Sequence, residues 1–206
     1  MKVSKQQWDT IYTQKNADEV SWTQQHPTIT MQFINEINLP KNAKIIDVGG
    51  GEGFLVDVLL DAGYTDITIL DISEVAIKKA KIRLAEKSNS IKWIVADVTE
   101  FKTNDTFDFW HDRAVFHFLT EQSDIDKYRN NLTDILNKKG FFLLGTFSPI
   151  GPYKCSGLNI VQYSKYEMGA LFNDGFLMVK SYEHNHLTPF NTIQNFQYGG
   201  FQKIII

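Results

Sequence analysis

The segment Asp47-Val48-Gly49-Gly50-Gly51-Glu52-Gly53 combines glycines and acids at a spacing that restricts what can sit beside it. Glycines let the backbone take angles closed to other residues and let a ligand approach the main chain closely, and amides opening a following helix favour a negative group. A dinucleotide turn wants Gly-x-Gly-x-x-Gly, but counting from Gly49 the last position is Phe54, and the Gly-Lys-Ser/Thr of a P-loop is absent. Asp47 and Glu52 would repel a pyrophosphate. They suit an amino-acid ligand, whose ammonium meets a carboxylate while its carboxylate meets backbone amides. Asp71, 22 residues after Gly49, can accept both hydroxyls of a ribose. Asp97, in Val95-Ala96-Asp97-Val98, can accept from an adenine amino group while Ile72 and Val98 sandwich the ring. The pattern describes a ligand with an amino-acid end, a ribose, an adenine and no phosphates.

S-adenosylmethionine is such a ligand, and the surrounding elements suit a crevice for it. Apolar β-rich runs alternate with helical periodicity: strands at Lys44–Val48, Ile67–Leu70, Ile91–Ala96, Phe107–His111 and Phe141–Phe147, with helices over Gly53–Ala62, from Ser73 to about Lys87, and from about Glu121 to Asn137. A helix near Lys165–Phe172 and strands near Phe176–Glu183 and Asn195–Ile205 complete the chain. Such alternation predicts an α/β fold with an open, mostly parallel sheet and helices on both faces. The last two strands are close enough to pair as a hairpin, which requires one to run antiparallel.

Composition agrees with an ordinary globular protein: 206 residues, 43% hydrophobic and 22% charged, read as one domain over residues 1–206. The single cysteine excludes an internal disulfide and any Cys-x-x-Cys metal pair. A net charge of −3 with only three arginines argues against nucleic acid or anionic lipid as the main partner. The N-terminal stretch lacks a signal-peptide core, and no apolar run approaches a membrane span, which places the protein in the cytoplasm.

With Asp47–Gly53, Asp71 and Ala96–Val98 in place, the chain resembles the class I S-adenosylmethionine-dependent methyltransferases, from about Trp8 to the end. It is most similar to small bacterial ones in Asp112-Arg113-Ala114-Val115-Phe116-His117-Phe118-Leu119 and Cys155-Ser156-Gly157-Leu158. The resemblance implies a Rossmann-like seven-stranded sheet in the order 3-2-1-4-5-7-6, strand 7 antiparallel. It also implies that residues 1–38 form an N-terminal lid and helix, with Trp22 and Tyr12 near the methyl site. S-adenosyl-L-methionine is then the cofactor, held by Asp47, Gly49, Gly51, Gly53, Asp71, Ile72, Asp97, Val98 and Trp22.

Methyl transfer is an in-line displacement at an activated sulfonium, so the protein aligns the acceptor, excludes water and, where the nucleophile arrives protonated, takes a proton. Asp112 and His117 are the candidates for that last task, with Tyr12, Arg113, Cys155, His184 and His186 as further candidates on the acceptor side. His184-Asn185-His186 has no evident third ligand, so no metal site is expected. The absence of an Asp/Asn-Pro-Pro-aromatic sequence lowers base nitrogens and amides as acceptors. A small-molecule acceptor is the leading expectation, acting on a monomer or weak homodimer. A protein lysine is the alternative acceptor, and a non-catalytic cofactor-binding scaffold the alternative from another class.

Overall fold

The computed structural model describes residues 4–204; positions 1–3 of the expected lid, and Ile205 of the expected last strand, lie outside the described residues. The elements in chain order are α1 (Lys5–Gln14), α2 (Thr28–Glu36), β1 (Lys44–Val48), α3 (Leu55–Asp61), β2 (Asp66–Asp71), α4 (Glu74–Leu84), β3 (Ile91–Val95), β4 (Phe107–Arg113) and α5 (Gln122–Ile135). They continue with β5 (Leu136–Phe147), the short hairpin β6 (Lys154–Cys155) and β7 (Leu158–Asn159), α6 (Lys165–Leu171), β8 (Phe176–Leu187) and β9 (Ile193–Lys203).

The main sheet has the order β3-β2-β1-β4-β5-β9-β8, with β9 antiparallel to both neighbours. Numbered within this sheet alone, that is 3-2-1-4-5-7-6, the order implied by the resemblance. Successive residues of a strand face opposite sides, and β1 divides its apolar side chains accordingly. Ile45 belongs to one core with Ile29 and Phe33 of α2 and Leu59 of α3, whereas Ile46 and Val48 belong to the other with Leu132 of α5 and Met168 of α6. The two cores on either side hold the strand ends in fixed register, with Asp47 beside His111 and Val48 beside Asp112.

Several expected boundaries move: the helix expected to about Lys87 ends at Leu84, the strand expected to end at Glu183 runs on to Leu187, and the last strand begins at Ile193. The helix expected from Gly53 begins at Leu55, because the Gly53 amide closes a turn onto the Gly50 carbonyl at 2.7 Å. The helix expected to reach Asn137 stops at Ile135. Leu136 already pairs with Phe107 of β4, and regular pairing resumes at Phe141 with Phe109. Residues 137–140 bulge between those pairs, with Lys139 at φ 63° and the Asn137 side-chain Nδ2 donating to Asp108 Oδ1 at 2.7 Å. The cationic Lys138-Lys139-Gly140 stretch, read as a helix C-terminus, is this bulge.

Helix α1 lies across the strand ends. Ser4 caps it and exchanges hydrogen bonds with Gln7 in a capping box. Its Asp9 accepts from the Ser73 hydroxyl at 2.7 Å and the Val75 amide at 3.3 Å, tying the segment to the start of α4.

Candidate functional site

The carboxyl ends of β1 to β4 and segment 8–22 enclose a cavity with two lobes. The first is lined by Leu70, Asp71, Ile72, Ala96, Asp97 and Val98 on one side, and by Trp8, Tyr12, Trp22, Val115, Phe118 and Cys155 on the other. The second lies over Asp47, Gly49, Gly50, Glu52 and Gly53 and extends to Thr23, Gln24 and His111. Tyr12, Trp22, Val48, Gly49 and Arg113 border both.

Local backbone builds the cradle. Gly49 sits at φ 70°, and a Cβ there would come within 2.0 Å of Val115 Cγ2. Gly51, at φ 47°, leaves room between the Asp71 carboxylate and the Tyr12 hydroxyl, which a Cβ would approach at 2.9 and 3.0 Å. Asp71 is buried and accepts from the Ser73 amide at 2.7 Å. Burial pushes its carboxyl up to about 7, outweighing the stabilising amide bonds from Ser73 and Gly51. Asp97 Oδ1 accepts from both the amide and the hydroxyl of Thr99, which fixes the carboxylate at the end of β3. The expected cofactor residues Gly49, Asp71, Ile72, Asp97, Val98 and Trp22 therefore converge in one lobe, and Asp47, Gly49 and Gly53 in the other; Gly51 sits between Asp71 and Tyr12.

The site fits S-adenosylmethionine on these grounds. An apolar slot between Ile72 and Val98 suits an adenine, the Asp71 carboxylate suits ribose hydroxyls, and the glycine cradle suits an amino-acid end. Asp47 has a further partner that its sequence position did not suggest. Its Oδ1 lies 2.6 Å from His111 Nδ1, and His111 Nε2 lies 3.0 Å from the Thr30 hydroxyl of α2.

The candidates for proton transfer are placed elsewhere. Asp112 is fully buried and does not line the cavity. Its Oδ2 accepts from Tyr128 Oη at 2.8 Å, and Oδ1 from the amides of Val115 and Phe116 at 3.0 and 3.3 Å. Burial raises its carboxyl to about 6 against those three donors. It braces the turn that carries Ala114 and Val115 into the cavity. His117 is also buried outside the cavity lining, packed against Phe118 and Phe147, and burial pushes it down to about 3. Among the described residues neither of its ring nitrogens has a partner.

On the acceptor side, Tyr12, Arg113 and Cys155 line the cavity, whereas His184 and His186 do not. Both histidines are on β8, where the buried His186 donates from Nε2 to the Ser21 carbonyl at 2.9 Å and so holds the backbone next to Trp22. No cluster of three metal-ligating side chains occurs among the described residues. Trp8, within the N-terminal segment expected to form the lid, meets Tyr12, Trp22 and Phe118 at centroid distances of 6.1, 5.7 and 5.3 Å. These four rings form the wall opposite the adenosine slot.

Residues 45–140 match the family described as methyltransferase domain. Among curated relatives, human EEF1A lysine methyltransferase 2 is 25% identical over 156 residues, 68% of this chain and 66% of its own length. Mouse eEF1A lysine and N-terminal methyltransferase is 22% identical over 83% of this chain, which spans only 24% of that protein. Nodulation protein S of Sinorhizobium fredii is 32% identical over 102 residues, 49% of this chain and 46% of its own. The chain thus spans less than two thirds of the length of these relatives. Two solved structures share the fold. A protein from work on conversion of a disulfide bond into a thioacetal group in echinomycin biosynthesis has a TM-score of 0.77 at 17% identity, covering 97% of this chain and 93% of its own. The N-methyltransferase NodS from Bradyrhizobium japonicum, solved with S-adenosyl-L-homocysteine, has a TM-score of 0.72 at 16% identity, covering 91% and 93%. Among the described residues no helix is long and apolar enough to cross a membrane.

Proposed function

We propose that the chain is a class I S-adenosylmethionine-dependent methyltransferase and that it methylates a small-molecule acceptor held between the aromatic wall and the cofactor lobe, a reading supported by the methyltransferase-domain match over residues 45–140. The observation that carries this reading is the enclosure of the cavity by Trp8, Tyr12, Trp22 and Phe118, which suits a compact, partly apolar acceptor.

S-adenosylmethionine, when bound, supplies a methyl group already activated by the sulfonium charge. The chain's own residues then have three tasks. Asp71 would accept the ribose hydroxyls, and Ile72 and Val98 would hold the adenine. The aromatic wall excludes water and fixes the direction of approach, the main lever for a displacement reaction. Around the acceptor, Tyr12 and Cys155 remain protonated: burial drives the tyrosine hydroxyl far above its ordinary range and raises the Cys155 thiol to about 11. Tyr12, Cys155 and Arg113 thus offer donors and a cation and no base, which suits an acceptor that arrives with its nucleophile ready.

A second reading, a protein-lysine acceptor, draws on the lysine methyltransferases among the relatives and on Glu121 and Asp124 in the cavity lining, acids that would attract a lysine ammonium. Incubating the protein with radiolabelled S-adenosylmethionine and cell lysate, then separating protein from small molecules, tests both. Label is expected in the small-molecule fraction. Label chiefly in protein would replace the first reading with the second, and label in neither would favour a non-catalytic scaffold.

A further inference from the structure

Arg113 ends β4 at the junction of the two lobes, and its guanidinium is fixed from several sides. Nε donates to Tyr198 Oη at 3.1 Å, Nη1 donates to the Trp22 carbonyl at 2.8 Å, and the group lies 4.5 Å from the Phe196 ring centroid. In the sheet, Arg113 pairs with Gly145 of β5, and Gly145 with Tyr198 of β9. A Cβ on Gly145 would come within 2.6 Å of the Tyr198 ring, so the glycine leaves the passage through which that hydroxyl reaches the guanidinium. Nη2 is left: it is buried and has no partner among the described residues.

A guanidinium is permanently charged, and a buried N–H without an acceptor costs free energy, so a held guanidinium with one orphan donor is shaped for an anionic ligand. The surroundings indicate where that ligand comes from. The groups on which Arg113's charge bears are Cys155, His117, His184 and His186, which belong to the turn after β4, the β6 hairpin and β8. Of these, Cys155 lines the cavity beside Trp8, Trp22 and Phe118, and the three histidines lie behind the lining.

We propose that Arg113 Nη2 binds a carboxylate, or a comparable oxyanion, of the methyl acceptor, so that the substrate is a small anionic molecule with an apolar or aromatic body. This rests on the small-molecule reading above and narrows it. The fixed guanidinium anchors one end of the acceptor while the rings of Trp8, Trp22 and Phe118 hold its body, setting the nucleophile toward the cofactor lobe.

The test uses phenylacetate and its neutral counterpart phenylacetamide as probes of the protein saturated with S-adenosylhomocysteine, read by calorimetry or by quenching of tryptophan fluorescence. Wild type is expected to bind the acid about tenfold more tightly than the amide, the usual scale of one charge-assisted contact. Arg113→Gln should abolish that preference and Arg113→Lys should keep part of it, each read as the ratio of acid to amide affinity within the same variant saturated with S-adenosylhomocysteine. Equal binding of acid and amide to wild type, or no binding of the acid, overturns the proposal without needing any variant to fold. It is also overturned if Arg113→Gln weakens S-adenosylhomocysteine but not 5′-methylthioadenosine, which lacks the amino-acid end, because Nη2 would then serve the cofactor's own carboxylate. Failure of wild type to bind S-adenosylhomocysteine would instead remove the methyltransferase reading itself.

Discussion

Asp71 must be ionised to accept two ribose hydroxyls, yet burial holds its carboxyl near 7 in the ligand-free protein. Cofactor binding and proton loss are therefore linked. Affinity for S-adenosylhomocysteine should be nearly constant above about pH 8 and fall toward about tenfold per unit below about pH 6, with the slope lost in Asp71→Asn. Calorimetric titrations across that range measure it, and a pH-independent wild type would show that Asp71 does not carry the ribose. Gly49 makes a separate demand on the backbone. Gly49→Ala combines a left-handed φ of 70° with a Cβ 2.0 Å from Val115 Cγ2. It should cost about 1–3 kcal/mol of stability by thermal or denaturant unfolding. Adding Val115→Ala should recover only the steric part, leaving the cost of the left-handed backbone. These residues were legible in the sequence because the end of a parallel strand fixes where its next side chains go, so spacing alone brought Gly49, Asp71 and Asp97 together. Asp112 and His117 lie outside the cavity lining for a related reason. Asp112 lies near the end of β4 and His117 follows it; between them the chain turns through Ala114 at φ 69°, and the turn buries Asp112 under the amides of Val115 and Phe116.

The turn from β4 into α5 and the lid segment before α2 are the elements that set the acceptor side. Asp112 couples the first of these to α5 through Tyr128, whose hydroxyl also accepts from Trp110 Nε1 at 2.9 Å. Asp112→Asn keeps one carbonyl for the Val115 and Phe116 amides and removes the acceptor of the tyrosine proton. It should destabilise the fold by about 1–3 kcal/mol while S-adenosylhomocysteine affinity stays within about threefold. A large loss of turnover in the variant at full fold stability would instead return Asp112 to the chemistry. For the lid, His186→Ala removes the donor to the Ser21 carbonyl and should weaken S-adenosylhomocysteine about fivefold, the scale of one net hydrogen bond. Hydrogen exchange should rise over residues 16–27, and His186→Gln, which keeps a donor, should restore much of both. The resemblance implied the lid but not this anchor, because a contact between β8 and a loop 165 positions earlier leaves no local pattern. The bulge at residues 137–140 was hidden likewise, since it arises from pairing with β4.

Across the whole molecule, burial sets two carboxyls against two imidazoles. Asp71 and Asp112 are raised to about 7 and about 6, while His117 and His186 are lowered to about 3 and about 4. A raised carboxyl adds stability as pH falls below its folded value, because the native state takes up a proton that the unfolded chain releases down to about pH 4. A lowered histidine acts oppositely: its stability is present above about pH 6.5 and is lost as pH falls toward the folded value, because the unfolded chain protonates first. Asp57, raised by burial, and His184, lowered by it, form a further opposed pair. Between about pH 6 and pH 4 the two sides nearly cancel, so the ligand-free protein should unfold at almost the same denaturant concentration across that range. Below about pH 4 the carboxylates lowered by their partners, among them Asp9, Glu36 and Asp105, lose their advantage and stability should fall. Removing one side makes the balance visible. His186→Gln leaves two raised carboxyls against one lowered imidazole, so its stability should climb as pH falls from about 6 to about 4, with a limiting slope of about 1.4 kcal/mol per unit. Asp71→Asn should show the reverse slope, and denaturant unfolding of wild type and both variants over the same pH series measures all three. Parallel curves for the three proteins would mean that these groups titrate alike in the folded and unfolded chains, and the pH dependence of cofactor binding argued from Asp71 would fall with them.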